Sequence, residues 1–417
     1  MPVTIDAIRD AARQLEGRVV RTPSLPSPAL SERCGAEIVL KLENLQVTGS
    51  FKSRGAYIKL AGLADEEKKA GVVAASAGNH AQGVAYHARN LGIPATIYMP
   101  EGTPFTKVGR TEALGAKVVL SGSGLAEARE TAMQQCESEG QVFVHPYDDP
   151  EIIAGQGTVG LEFLIDVPDL EVLVVPIGGG GLLAGSAVAA KALNPDIEII
   201  GVEAALFPSM SEALGKISGA PDQKAGTTGQ TPGQTIAEGI AVKVPGKLTK
   251  PVIEDLVSDI VLADETSLEL AVQTYLEDQR IVTEGAGAAS LAAVLNQPER
   301  FSGRKTGLVV SGGNMDARLL SSILMRGLVR EGRMVRLRIE ITDTPGALSR
   351  VSGLIGKHGG NIIEIYHQRL FYDIPVKQTE VDVVLETVDA NHVQEIMKAL
   401  IEDGFPARLM GATSLES

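Results

Sequence analysis

The chain has 417 residues, 44% of them apolar, a formal charge of −14, and two cysteines, Cys34 and Cys136. That length allows two or three domains with substantial cores, and the acidic balance argues against nucleic acid or an anionic membrane as partner. Two cysteines this far apart offer neither a disulfide framework nor a CxxC metal or redox site, which fits a reducing, cytoplasmic setting.

The first segment, MPVTIDAIRDAARQLEGR, mixes charges at helical spacing and lacks the apolar centre of a secretory signal. No run of roughly 18 apolar residues exists to span a membrane. EIVLKLE reads as a strand, and GSFKSRGA opens a helix running through Tyr57, Ile58 and Leu60. Lys52 stands at that opening, where the positive end of the helix dipole disfavours a charged amine. A solvated surface lysine is the ordinary reading; a neutral, nucleophilic amine is the one its placement favours.

Short apolar runs then alternate with amphipathic stretches. GVVAAS, ATIYMP, AKVVLS and VFVHP are predicted strands, separated by helices such as HAQGVAYHARNLG and GLAEARETAMQQCES. EVLVVPI, IEIIGVE and TGLVVSG continue the series. Strands between longer helices predict an α/β fold with a mostly parallel sheet, in two lobes. ISGAPDQKAGTTGQTPGQ, residues 217–234, has no periodicity and reads as a mobile surface loop.

Three turns within this pattern suit ligands. SAGNHAQG, residues 76–83, joins a strand to a helix, so its backbone N–H groups suit a carboxylate or phosphate, and Asn79 adds an amide donor; a plain helix cap is the alternative. GGGGLLAG, residues 178–185, lets the backbone wrap an anion closely. A dinucleotide site is a second reading of that run, with Glu203 near the place of a ribose carboxylate, although the glycines do not follow GxGxxG spacing. SGGNMD, residues 311–316, puts the Ser311 hydroxyl at the C-terminal end of a strand, where open α/β sheets bind ligands, or else simply caps a helix through Asn314 or Asp316.

A second style of sequence begins near residue 330. MVRLRIEITD, PGALSRVSGLIGKHGG, NIIEIYHQRL, PVKQTEVDVVLETV, NHVQEIMKALIEDG and FPARLM read as β, α, β, β, α and β, a ferredoxin-like unit. His358, His367 and His392 lie at unrelated positions in it and form no ligand cluster.

Together, a strand-end lysine, an asparagine turn, a glycine cup and a strand-end serine meet the needs of one cofactor, pyridoxal 5′-phosphate: an amine for its aldehyde, donors for its 3-oxygen and phosphate, and a partner for its ring nitrogen. The four segments resemble those of the fold type II, tryptophan synthase β-like, pyridoxal-phosphate enzymes. Among these, TGSFKSRGA and SAGNHAQG are most similar to the threonine dehydratases, and TDTPGALSRVSGLIGKHGGNI resembles the opening of an ACT regulatory domain. The resemblance implies a catalytic domain over 1–325, with a small lobe at about 50–145 inserted in the large one, a linker at 326–333 and an ACT domain over 334–417.

By that resemblance, Lys52 forms the imine with the cofactor aldehyde, Phe51 and Asn79 flank the ring with Asn79 on the 3-oxygen, and Gly178, Gly179, Gly180, Gly181 and Leu182 hold the phosphate. Ser311, in preference to Asp316, meets the ring nitrogen. Ser76, Ala77, Gly78, Asn79 and His80 receive the substrate carboxylate. The implied reaction is β-elimination from L-threonine, and L-serine, to 2-oxobutanoate or pyruvate and ammonia. Related serine racemases carry a serine where this chain has Ala77, and alanine moves no proton, so elimination is expected over racemisation. A non-catalytic amino-acid sensor is the competing reading from another class, but it leaves Lys52 unexplained.

Relatives also hold a cation with a carboxylate corresponding to Glu203 and a second carboxylate nearby. Here Phe207 and Ser209 occupy the corresponding spacing, so a monovalent ion or none is expected. Glu284 in TEGAGA either lines the site or serves only at a helix start. ACT domains associate and bind amino acids near the turn carrying Asp343, Pro345, Gly346 and Leu348, which implies an isoleucine or valine effector and a homodimer or homotetramer.

Overall fold

The computed structural model describes residues 3–215, 234–367 and 378–411. The loop expected over 217–234 lies, apart from Gln234, outside the described residues, as do the expected strand ends at 368–370 and 375–377. The chain divides into two compact units, Met1–Met315 and Asp316–Ser417.

The first unit holds two sheets. The larger has six strands in the order Ser24–Pro26, Glu37–Leu42, Lys305–Val310, Val172–Pro176, Glu198–Ala204 and Asp259–Ala263. Only the first pairing is antiparallel. The smaller sheet, in the order Lys117–Leu120, Ala95–Met99, Val72–Ala75 and Val142–Phe143, is parallel throughout and lies in sequence between the second and fourth strands of the larger one. Strands such as VLVVP and VVAA are buried along their whole length, as expected of parallel strands covered by helices on both faces.

The sequence pattern located most of these strands. It did not show Ser24–Pro26, which is only three residues long, or Asp259–Ala263, whose short apolar run carries no alternation.

One packing feature governs the site. The helix Lys52–Gly62 lies against Asn79–Leu91 and Pro150–Asp166, and glycines allow the close approach. A Cβ on Gly83 would lie 3.2 Å from the Lys52 carbonyl oxygen, and one on Gly155 would lie 2.6 Å from the Gly55 Cα. Behind this helix the Arg54 guanidinium engages all five of its N–H donors, on Glu43, Glu162 and Thr158, and is fully buried.

The second unit has the expected βαββαβ order, with an antiparallel sheet arranged Asn361–His367, Gln378–Glu386, Met334–Thr342, Ala407–Met410. The helices Ala347–Lys357 and Ala390–Glu402 share its apolar core, which includes Leu337, Val351, Val383 and Ile396. No helix among the described residues is long and apolar enough to cross a membrane.

Candidate active site

Lys52 is the first residue of its helix, and its Nζ donates to the Pro146 carbonyl at 2.7 Å. Burial pushes the amine down to about 8, with the Glu284 charge opposing the shift. The Phe51 ring lies 5.2 Å from Nζ, and the Phe51 N–H donates to the Ser311 carbonyl at 3.1 Å. Ser311 itself is buried at the end of its strand, its hydroxyl directed to the Ala286 carbonyl at 3.3 Å. An isolated bridge between Ser50 and Gly312 and a hydrogen bond from Gly313 N–H to the Gly49 carbonyl fasten the two loops together. The lysine turn and the serine turn therefore form one structure.

Asn79 starts the helix Asn79–Leu91. Its Oδ1 accepts from Asn314 at 2.8 Å, and its Nδ2 donates to Glu284 at 2.6 Å. Burial pushes the Glu284 carboxyl up to about 7, against the pull of the Asn79 hydrogen bond. Ser76 accepts the Gly78 N–H at 3.2 Å, and Ala77 packs against the core of the small sheet. His80 is buried, with Nε2 on the Val144 carbonyl at 2.9 Å and no partner for Nδ1. A carbonyl can only accept, so the ring carries its proton on Nε2 and Nδ1 is a buried acceptor. Burial and the nearby Lys52 push His80 down to about 3, which keeps it neutral.

The glycine run ends the strand Val172–Pro176 and starts the helix Gly181–Leu193, whose N-cap has no side-chain hydrogen bond. The first-turn N–H groups of such a helix lack intrahelical partners and point at whatever lies in front of them. A Cβ on Gly179 would run into the Tyr147 ring, and Gly180 adopts φ +95°, so the cup tolerates neither side chain. Leu182 is buried behind it. Thr249 fixes the loop by donating to the Gly179 carbonyl at 2.7 Å. Residues 146–147 thus join the two halves, with Pro146 on the lysine and Tyr147 over the glycines. Pattern reading missed Tyr147; its position just after the strand VFVHP, at a carboxyl strand end, was the available signal.

These features fit pyridoxal phosphate: an amine of lowered basicity, a helix start whose N–H groups can donate, and a cup that any Cβ would fill. Asp316 instead spends its carboxylate as a helix cap, accepting from the N–H groups of Arg318 and Leu319. Both Glu203 oxygens accept backbone N–H groups, of Met210 at 2.7 Å and Ser211 at 3.0 Å. Phe207 is partly buried, and the Ser209 hydroxyl has no partner. Among the described residues no three His, Cys, Asp or Glu side chains cluster as a metal site. In the second unit Asp343, Pro345 and Gly346 are exposed, whereas Leu348 packs on the core.

A mostly parallel two-sheet fold with these turns at its carboxyl strand ends defines a pyridoxal-phosphate dependent enzyme. The model of that family matches residues 15–312, and the ACT domain model matches residues 335–404. An L-threonine ammonia-lyase of Thermotoga maritima is 46% identical over 98% of this chain and 100% of its own. Among solved structures, the processed form of threonine deaminase isoform 2 from Solanum lycopersicum is 33% identical with a TM-score of 0.69, covering 77% of this chain and 87% of that one. Maize serine racemase is 35% identical with a TM-score of 0.70, covering 79% and 99%. The chain belongs to the pyridoxal-phosphate dependent enzyme family, in its threonine ammonia-lyase branch with a C-terminal ACT domain.

Proposed function

We propose that the protein deaminates L-threonine, and L-serine as well, with Lys52 as the residue that carries the cofactor. The observation that supports this best is the Lys52 amine, held at lowered basicity between the serine turn and the Pro146–Tyr147 segment. The phosphate falls to Gly178, Gly179, Gly180, Gly181 and Leu182, the 3-oxygen to Asn79, one ring face to Phe51, and the ring nitrogen to Ser311. The substrate carboxylate falls to the backbone of Ser76, Ala77, Gly78, Asn79 and His80.

When bound, the cofactor supplies an aldehyde for the amine and an electron sink for the substrate α-carbon. Lys52, whose basicity burial lowers to about 8 so that roughly half of it is neutral at that pH, takes the α-proton, a transfer of the kind that contributes about 10² to 10⁴ in rate. The Cα–H and Cβ–O bonds break, the β-hydroxyl takes up one proton and leaves as water, which offsets the α-proton taken by Lys52, and one water is consumed in the hydrolysis to 2-oxobutanoate and ammonia. Ser311 offers the ring nitrogen a neutral hydroxyl, which supports less positive charge there than a carboxylate, so elimination competes well with transamination. Ala77 offers no acid or base on the opposite face, so the α-carbon is not reprotonated there and racemisation is slow.

With a catalytic domain over 1–325 and an ACT domain over 334–417, we assign this chemistry to the first and a regulatory role to the second. Isoleucine or valine binding at the turn of Asp343, Pro345, Gly346 and Leu348, in a homodimer or homotetramer, makes the enzyme allosteric and suits isoleucine biosynthesis. The two free cysteines fit a cytoplasmic setting. A monovalent cation near Glu203 and Ser209 belongs to the same proposal and is checked by comparing rates in potassium and in tetramethylammonium buffers. Steady-state assays with chiral analysis test the reaction itself: 2-oxobutanoate from L-threonine, and pyruvate with little D-serine from L-serine, are expected. D-serine forming faster than pyruvate overturns it.

A further inference from the structure

Thr48, Asn314, Asn79 and Glu284 form a chain of hydrogen bonds whose polarity is fixed from one end. The Thr48 carbonyl can only accept, so the Asn314 atom facing it at 2.7 Å must be Nδ2. That nitrogen has one further hydrogen, directed at Asn79 across 2.8 Å, so the Asn79 atom facing it must be Oδ1. Asn79 Nδ2 is thereby turned toward Glu284 Oε1, at 2.6 Å, which spends one of its two hydrogens.

We infer that Asn314 and Glu284 are positioning residues that hold the Asn79 amide in a single orientation, with its second N–H presented to the cofactor. A flipped Asn79 would set two N–H groups against each other at Asn314 and two oxygens against each other at Glu284. Unlocked, the amide presents a donor in one orientation and a repelling oxygen in the other.

The backbone is shaped to admit this chain. A Cβ on Gly49, which has φ +71°, would lie 2.6 Å from Asn314 Oδ1. A Cβ on Gly312 would lie 2.5 Å from Glu284 Oε1 and 3.2 Å from Asn79 Nδ2. Glu284 is held in turn by its own N–H, which donates to the Gly312 carbonyl at 3.1 Å. Thr48 lies four residues before Lys52, so the orientation of the amide is referenced to the lysine loop itself. Lys52, Lys107 and Glu238 are the charged groups around Glu284, and with its carboxyl pushed up to about 7 it is mostly ionised at pH 8, where both of its oxygens can only accept.

The inference rests on Asn79 serving the cofactor, and the test separates the two claims. Apoprotein at pH 8 is titrated with pyridoxal phosphate and the dissociation constant read from the visible absorbance, for the native chain, Asn79→Ala, Asn314→Asp, Asn314→Ala and Glu284→Ala, with thermal melts confirming the fold. Asn314→Asp cannot donate to Thr48 or to Asn79, so it is expected to weaken binding at least fivefold and to shift the absorbance maximum in the same direction as Asn79→Ala. Glu284→Ala follows with a smaller loss, and in the double variant of Asn79→Ala with Asn314→Asp the second change adds less than twofold. If Asn79→Ala weakens binding while folded Asn314→Asp and Glu284→Ala bind like the native chain, the lock is refuted and the role of Asn79 stands. If Asn79→Ala itself binds normally, the role of Asn79 falls first.

Discussion

At the residue scale the proposed chemistry rests on Lys52. Its ordinary companion reading, a surface lysine at a helix start, fails because the amine is enclosed and bonded to Pro146. An unfolded lysine holds its proton to about pH 10.4, whereas the folded one releases it near 8, so the native state binds fewer protons between those values. Burying the ammonium therefore weighs against the fold below pH 8, and this group's contribution improves as pH rises from 8 toward 10.5. Lys52→Met should accordingly raise the melting temperature of apoprotein more at pH 7 than at pH 10, a difference that differential scanning calorimetry reads. For the reaction, Lys52→Ala should lower turnover of L-threonine at least about 10³-fold, the range of a lost proton-transfer group, with the fold retained by circular dichroism.

At the element scale, the turns matter more than the helices and strands that carry them. Each was visible in the sequence as a cluster of Gly, Ser or Asn after an apolar run, because strand ends that bind ligands need close backbone approach. What the sequence did not carry was the pairing between turns. Nothing in SGGNMD shows that Asn314 reaches Thr48 and Asn79, or that Tyr147 covers Gly179, since those contacts join residues far apart in the chain. Gly179→Ala tests the cup directly: the added methyl meets Tyr147, and cofactor affinity should fall roughly tenfold or more, each tenfold being about 1.4 kcal/mol. A smaller effect in the double variant with Tyr147→Ala would identify the ring as the obstacle. The helix that carries Lys52 is tied down by Arg54, and Arg54→Ala leaves Glu43 buried without its partner. The loss of a buried pair of this kind costs about 3–5 kcal/mol, measurable as a lower denaturation midpoint.

At the scale of the whole molecule, the division into a catalytic unit and a βαββαβ unit was legible because the hydrophobic pattern changes from long buried runs to regular alternation. VLVVP is buried throughout, while MVRLRIEIT alternates buried and exposed positions. The proposed effector of the second unit was not legible in this way: the turn around Gly346 is exposed and offers backbone more than chemistry. Isothermal titration with L-isoleucine, L-valine and L-threonine should show saturable binding of at least one branched-chain amino acid, lost or weakened at least about tenfold by Gly346→Val, whose φ of +90° a β-branched residue resists. Absence of any binding by the intact chain removes the regulatory reading and leaves the catalytic one untouched.

The most direct measurement is the site of cofactor attachment. Holoprotein reduced with borohydride and mapped by peptide mass spectrometry should carry the phosphopyridoxyl group on the peptide containing Lys52, with L-threonine deamination lost in step with labelling. A label on a different lysine, or a chain that converts L-threonine to 2-oxobutanoate at full rate after Lys52 is modified, would contradict the account.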